Sequence, residues 1–322
     1  MLGHTKKLKA DHPARPHSRL FGYQEIEKMS SLPWQQHPIQ KTTSAGQLLS
    51  ARRIIVKIGS ALLVDPQTRK LRGAWLESLI ADVARFFSRG QQVILVTSGA
   101  VALGSCQFDG LDRPLRIEEK QTAAAIGQVR LMLAYEQRLK RHGFASGQML
   151  LTSQDIENQN RRHNAWSTLQ QLLKIGAVPI INENDTTATA EICFGDNDRL
   201  AARVAQMVNA DLLILLSNVD GLFTEDPHDN PLARLVTEVR CITPEIEAMA
   251  GHSLTRYSSG GMVTKLMAAK IAMGAGCGMV IARGTEPYPL AAIENGSPST
   301  SFVPIAKDKA IRGTFDELWP PE

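Results

Sequence analysis

From Arg53 onward, the sequence alternates short apolar runs with longer segments that have helical spacing. The apolar runs predict buried strands at residues 53–58, 92–97, 147–151, 178–181, 210–216 and 278–282, with a further short strand at 301–304. Helical spacing occurs at residues 75–88, 118–142, 161–175, 199–208, 243–250 and 263–273. Strands that alternate with helices imply right-handed crossovers. We therefore predict an α/β three-layer sandwich with an open, mainly parallel central sheet.

The rest of the chain is expected to flank one α/β domain at residues 51–305. Residues 1–50 are rich in His, Pro, Gln, Ser and Lys without sustained periodicity, which predicts a flexible N-terminal extension. We find no Pro- or Gly-rich linker that divides the domain, and 322 residues suffice for such a core. Residues 306–322 are expected to form a C-terminal tail.

Composition excludes several classes of protein. The net charge is +4, and much of it lies in the first fifty residues, so no nucleic-acid surface is expected on the domain. The four cysteines are far apart, without a C-x-x-C pair, which favours reduced, buried thiols. No apolar run approaches ~20 residues, and no secretory signal is present, so we expect a cytoplasmic protein without membrane association.

Three predicted strands end in small residues, which is typical of phosphate binding. The turns are KIGS at 57–60, TSGA at 97–100 and SN at 217–218. Backbone N–H groups in such turns can approach an anion, and a following helix adds the positive end of its dipole. Neither G-x-x-x-x-G-K-[ST] nor G-x-G-x-x-G occurs, so a P-loop and a dinucleotide-binding fold are disfavoured.

A polar loop follows the strand that ends at Ile181. Its carboxylates and amides are Asn182, Glu183, Asn184, Asp185, Asp196, Asn197 and Asp198. Open α/β sheets bind ligands at the carboxyl ends of their strands. A solvated loop with a helix cap explains the same pattern, so the residues alone leave both interpretations open.

Two lysines lie in unusual positions. Lys57 is inside an otherwise apolar strand, and Lys265 begins a helix after SSGG at 258–261. A buried strand lysine needs an anionic partner, and a first-turn lysine is poorly placed for the helix dipole. A bound phosphate group would be an anionic partner for both lysines. A solvent-facing edge lysine and an ordinary helix-surface lysine remain the alternatives.

Six motifs, in order, resemble those of the glutamate 5-kinases, which belong to the amino-acid kinase family. They are KIGS at 57–60, VTSGA at 96–100, KQTAAAIGQ at 120–128, NENDTTATAE with FGDND at 182–198, LSNVDGL at 216–222 and GGMVTK at 260–265. The resemblance covers roughly residues 52–304. It implies transfer of the γ-phosphoryl group of ATP, with Mg²⁺, to the side-chain carboxylate of L-glutamate, which is the first step of proline biosynthesis.

The resemblance also implies the roles of matching residues. The implied catalytic residues are Lys57, Lys265 and Asp198, with Asp198 holding both lysines in position. The implied glutamate-binding residues are Ser98, Asp185 and Asn197. The implied ATP-binding residues are Lys57, Gly59, Ser60, Ser217, Asn218, Ser259, Gly260, Gly261, Met262, Val263, Thr264 and Lys265. Glutamate would bind the N-terminal part of the domain and nucleotide the part from about residue 206, without a protein-held metal site.

The chain departs from the family pattern in three places. Asn218 stands where the family usually has Asp, which affects a base or ribose contact. Val263 replaces a small polar residue, which removes one hydroxyl contact to phosphate. Many bacterial members carry a C-terminal PUA domain, and residues 306–322 are too few for one.

The family implies partners, and two alternative functions remain. Feedback inhibition by proline, a homo-oligomer and coupling to glutamyl phosphate reductase are expected. The first alternative is a related kinase acting on acetylglutamate or a nucleoside monophosphate. The second is a non-catalytic sensor that binds ATP and glutamate.

Overall fold

Strands and helices occur in the alternating order that the apolar runs predict. The computed structural model describes residues 43–108, 113–187, 197–251 and 261–304, which all fall within one compact unit. The strands in these ranges are β1 (Arg53–Ile58), β2 (Gln92–Val96), β3 (Ser146–Leu151), β4 (Val178–Glu183), β5 (Leu212–Ser217), β6 (Glu238–Val239), β7 (Gly278–Arg283) and β8 (Ser299–Phe302).

The helices cover both faces of the sheet, and several end at a glycine. They are α1 (Ser44–Ser50), α2 (Ser60–Leu63), α3 (Gly73–Ser88), α4 (Ala100–Gly104), α5 (Ile117–Arg141), α6 (Ser153–Glu157), α7 (Gln159–Lys174), α8 (Asn197–Met207), α9 (Pro244–Met249), α10 (Met262–Gly274) and α11 (Pro289–Glu294). Gly90 and Gly176 follow α3 and α7 with φ of 77° and 75°, a left-handed conformation that glycine adopts without strain.

The strands form one mainly parallel sheet in the order β3-β4-β2-β1-β5-β7-β8-β6, as predicted. The pairing of β7 with β8 is antiparallel, and the other pairs are parallel. The chain places β2 on one side of β1 and β5 on the other. This arrangement opens a crevice at the carboxyl end of β1, where ligands bind in sheets of this type.

Alternate residues of the central strands face two separate apolar cores. Ile54 and Val56 of β1 pack with α3, α5 and α11, whereas Ile55 packs on the opposite face with α7, α8 and α10. All three side chains are fully buried. Continuous apolar runs therefore form the strands because both faces of the sheet are covered.

Helices α4 and α5 touch through their backbones at two glycines. A Cβ added to Gly127 would lie 1.8 Å from the carbonyl oxygen of Ala100, and one added to Gly104 would lie 1.9 Å from that of Ala123. Only glycine permits this approach. The contact holds the N-terminus of α4, and with it the turn after β2, against α5.

Two expectations need correction. The flexible extension does not reach Ser50, because α1 is capped by the Thr43 side chain and buries Leu48, whose carbonyl accepts a hydrogen bond from Gln91 (2.8 Å). Residues 1–42 and 305–322 lie outside the described ranges. Of the described cysteines, Cys277 is buried but Cys241 is exposed.

Within the described ranges, no helix combines the length and the apolar character needed to cross a membrane.

Candidate active site

A cavity of about 570 Å³ lies at the carboxyl ends of the four central strands. Nine of the residues predicted from the sequence line it: Lys57, Gly59, Ser60, Ser98, Asp185, Asn197, Ser217, Asn218 and Lys265. They come from six separate segments of the chain, which the sheet brings to one edge. This convergence disfavours the interpretation of the loop after β4 as merely solvated.

Asp198 holds the two predicted lysines together beneath the cavity. The Lys57 Nζ lies 2.5 Å from Asp198 Oδ1, and the Lys265 Nζ lies 3.1 Å from Oδ2. All three side chains are buried. Burial raises the pKa of Asp198, but the charges of Lys57 and Lys265 outweigh it, so the net pKa is lowered and the carboxylate stays ionised. Lys57 and Lys265 both line the cavity, so the arrangement presents two cationic side chains to it.

The turn after β2 and the start of α8 are joined by the Asn197 carboxamide. Its Nδ2 lies within hydrogen-bond distance of three acceptors, the Thr97 carbonyl (2.5 Å), Ser98 Oγ (2.9 Å) and Asn182 Oδ1 (2.9 Å), so its two N–H groups are shared among them. Gly99 adopts φ of 96°, which lets the chain turn sharply into α4. The predicted residues Ser98 and Asn197 are therefore in direct contact.

Two carboxyl groups lie close together at the end of β4. Glu183 is the last residue of β4, and Asp185 follows it in the loop. Burial, followed by the negative charge of Glu183, raises the pKa of Asp185 to about 6. Both residues line the cavity. At neutral pH, Asp185 is therefore a largely buried carboxylate beside a second acidic residue. A cationic ligand group would stabilise its negative charge.

The predicted nucleotide-binding residues are only partly brought to the cavity. Gly59, Ser60, Ser217 and Asn218 line it. By contrast, Gly261 caps the N-terminus of α10, and neither it nor the described residues Met262, Val263 and Thr264 line the cavity. Ser259 and Gly260 lie outside the described residues, as do Glu191 and Asp196.

The strand order places the two groups of predicted binding residues on opposite sides of β1. Ser98 follows β2 and Asp185 follows β4, on one side of β1, whereas Ser217 ends β5 on the other side. Lys57 is in β1, between them. The predicted glutamate-binding residues Ser98 and Asp185 and the predicted nucleotide-binding residue Ser217 therefore lie on opposite sides of Lys57.

Comparison with known proteins identifies the family. The model of the amino acid kinase family matches residues 52–283. The chain belongs to the amino acid kinase family. A curated relative called glutamate 5-kinase 2, from Mesorhizobium japonicum, is 69% identical over 86% of this chain and 99% of the relative. Glutamate 5-kinase 2 of Rhizobium meliloti is 56% identical over 81% of this chain and 97% of the relative. Glutamate 5-kinase of Paramagnetospirillum magneticum is longer: the match, 57% identical, covers 82% of this chain and 71% of the relative.

Solved structures support the same fold for this amino acid kinase. A carbamate kinase from Giardia lamblia bound to AMP-PNP is 16% identical, with a TM-score of 0.56 over 80% of this chain and 99% of that chain. A UMP kinase from Ureaplasma parvum is 14% identical, with a TM-score of 0.55 over 78% of this chain and 98% of that chain. At these identities the likeness concerns the fold alone.

Sequence reasoning left four residues of this amino acid kinase without a role. Asn182 and Glu183 line the cavity, and Thr97 and Gln128 support it from below. The polar loop pattern included Asn182 and Glu183, and one of the six motifs included Gln128. No periodicity could show that Gln128 of α5 faces Asn182 of β4, because the two are far apart in the chain.

Proposed function

We propose that this chain transfers the γ-phosphoryl group of ATP to the γ-carboxylate of L-glutamate, giving L-glutamyl 5-phosphate. The observation that carries the proposal is the pair of buried lysines held by Asp198 at the boundary between the two groups of predicted binding residues. The curated relatives described above are glutamate 5-kinases, which supports glutamate as the acceptor.

The proposed reaction needs positioning and charge neutralisation, and it needs no general base. A carboxylate is already a nucleophile, and the transferring phosphoryl group carries negative charge on three oxygens. In the proposal, Lys57 and Lys265 contact that group, and Asp198 holds both ammonium groups in position. ATP enters as its magnesium complex, with Mg²⁺ coordinated largely by phosphates and water.

The two substrates are assigned to opposite sides of β1. Ser98, Asp185 and Asn197 bind glutamate, with the Asp185 carboxylate facing the α-ammonium group. Ser217 and Asn218 bind nucleotide, and the N–H groups of Gly59 and Ser60 face phosphate. Ser259 to Thr264 complete the nucleotide region in this proposal, although the described members of that segment do not line the cavity.

We extend the proposal to regulation and assembly. Proline shares the α-ammonium and α-carboxylate of glutamate, which supports competition by proline for the glutamate region. Val129 and Leu133, one turn apart on α5, are exposed, which supports a homo-oligomer. Acyl phosphates hydrolyse readily, which supports transfer of the product to glutamyl phosphate reductase in the cytoplasm.

The first prediction tests the reaction itself. Purified protein with ATP, Mg²⁺, L-glutamate and hydroxylamine is expected to form ADP and γ-glutamyl hydroxamate in equal amounts, because hydroxylamine traps the acyl phosphate. Colorimetric hydroxamate detection and an ADP assay measure the two products. Acetylglutamate and a nucleoside monophosphate, tested in parallel, are expected to give less ADP. Binding of ATP and glutamate without either product would refute the reaction and support a sensor.

A second prediction concerns Asp185. The Asp185→Asn variant is expected to be more stable than the wild type by about 3 kcal/mol at pH 7.5, because the asparagine need not ionise. The folded-state pKa of Asp185, about 6, exceeds the ordinary value of 3.8. The contribution of Asp185 to the stability of the wild type therefore falls as the pH rises from 3.8 to about 6. Thermal unfolding at pH 4 and 7.5 measures the difference, which should fall to about 0.5 kcal/mol at pH 4.

The same variant should bind glutamate poorly. We expect its KM for glutamate to rise by about 10- to 100-fold at pH 7.5, the range for loss of a charged hydrogen bond, while its KM for ATP stays the same. In the wild type, kcat/KM for glutamate should increase as pH rises through about 6, where Asp185 ionises. A normal KM for glutamate in the variant would exclude Asp185 as the ammonium partner.

A further inference from the structure

We infer that Gln128 is a positioning residue that fixes the orientation of the Asn197 carboxamide through Asn182. The inference rests on the proposed function, because it concerns the glutamate region of the same cavity. Gln128 lies on α5, outside the cavity lining, and its Oε1 accepts a hydrogen bond from Asn182 Nδ2 (2.8 Å). Both side chains are buried.

Two backbone groups determine which way the amides face. The Glu183 backbone N–H, which can only donate, lies 2.9 Å from Asn182 Oδ1. Oδ1 of Asn182 therefore faces β4, and its Nδ2 must face Gln128. The Thr97 carbonyl, which can only accept, lies 2.5 Å from Asn197 Nδ2. The orientation of both asparagines thus follows from donor and acceptor chemistry.

These contacts fix Oδ1 of Asn197 as the atom of that carboxamide that is available to accept a hydrogen bond. Among the described residues, the contacts of the Asn197 side chain with Thr97, Ser98 and Asn182 all use Nδ2. Oδ1 is at the other end of the carboxamide, and Asn197 lines the cavity. An oxygen presented in this way accepts a hydrogen bond from a substrate ammonium or N–H group. Gln128 keeps that oxygen outward, because an Asn182 released from Gln128 can rotate and release Asn197.

The unfavourable burial of one amide group of Gln128 indicates that this residue does more than fill space in the core. Within the described part of the chain, Gln128 Nε2 is buried and has no hydrogen-bond partner. Burying an unpaired donor is unfavourable, and an apolar side chain of the same length would avoid it. Tyr135, two turns along the same face of α5, similarly holds Thr97 through their hydroxyl groups (3.0 Å). Helix α5 therefore supports the ends of β2 and β4 with polar contacts.

The test compares Gln128→Met, which removes the acceptor, with Gln128→Glu, which keeps a carboxyl oxygen toward Asn182. Gln137→Met, at an exposed position of the same helix, is the matched control. We expect Gln128→Met to raise KM for glutamate about tenfold, with KM for ATP unchanged. Gln128→Glu should restore most of the glutamate affinity, and Gln137→Met should behave as wild type. Two results would overturn the inference: equal changes in KM for glutamate and KM for ATP in Gln128→Met, or a KM for glutamate in Gln128→Glu that is as high as in Gln128→Met.

A second measurement is independent of the reaction. In the wild type, the side-chain NH₂ protons of Asn182 and Asn197, observed by ¹⁵N NMR, should exchange slowly with solvent because they are hydrogen-bonded. In Gln128→Met they should exchange at least tenfold faster. Unchanged exchange would overturn the inference even if the protein used another substrate. An inactive wild type with faster exchange in the variant would instead count against the proposed function alone.

Discussion

Lys265→Ala is expected to lower kcat by at least about 100-fold while the protein remains folded. A preorganised cation aimed at developing charge is worth about 3–4 kcal/mol in the transition state, which corresponds to this loss. The fold should survive, because Asp198 keeps Lys57 at 2.5 Å and is not left as an unpaired buried charge. The hydroxamate assay measures turnover, and circular dichroism with thermal unfolding measures the fold.

The same helix offers a matched control for this substitution. Lys270 of α10 is half exposed and forms an ion pair with Glu247 at the surface. Such pairs contribute about 0–1 kcal/mol, so Lys270→Ala should retain both normal turnover and normal stability. If Lys265→Ala is folded and its kcat lies within about threefold of the wild-type value, Lys265 does not contact the transferring group.

The sheet was predictable because its strands are buried on both faces. β1 and β5 are continuous apolar runs, and helices cover Ile54 on one face and Ile55 on the other. Such runs stand out from the helical spacing between them, which is why predicted and observed strand limits agree within about two residues. Ligand binding at the carboxyl ends of the strands was expected from the same alternation, but the strand order that places the crevice at β1 was not.

Elements that depend on tertiary contacts were not predictable. Helix α1 has only seven residues, and it exists because Leu48 is buried and Gln91 bonds to its C-terminal end. Its sequence, SAGQLLS, is too short to show helical periodicity. Likewise β6 has only two residues, Glu238 and Val239, which pair with β8. Local sequence carries no signal for elements this short.

The residues of the site were predictable, but the distances and hydrogen bonds between them were not. Resemblance to a family named Lys57, Asp198 and Lys265, and the structure brings each lysine Nζ within 3.1 Å of an Asp198 carboxylate oxygen. Spacing along the chain gives no such distance. The supporting contact from Gln128 to Asn182 was missed for the same reason, since a polar residue in a helical pattern ordinarily faces solvent.

Gly127→Ala is expected to destabilise the protein by about 3 kcal/mol or more, at the upper end of the range for overpacking. The new Cβ would lie 1.8 Å from the Ala100 carbonyl oxygen and 2.8 Å from the Gly104 nitrogen. Both are backbone atoms, so the clash is relieved only if α4 moves away from α5. At roughly 2–4 °C per kcal/mol for a chain of this size, thermal unfolding should shift down by about 6–12 °C.

The displacement should also reach the glutamate region, because Ala100 begins α4 directly after Ser98 and Gly99. We therefore expect the surviving folded protein to show a higher KM for glutamate, since Ser98 and Asn197 bond to each other across this turn. Gly274→Ala is the matched control: its Cβ meets no atom within 4 Å, and it ends α10. That change should leave KM the same and raise stability by about 0.5–1 kcal/mol. If the two alanine variants unfold at the same temperature, the glycine contact between α4 and α5 does not hold the substrate turn.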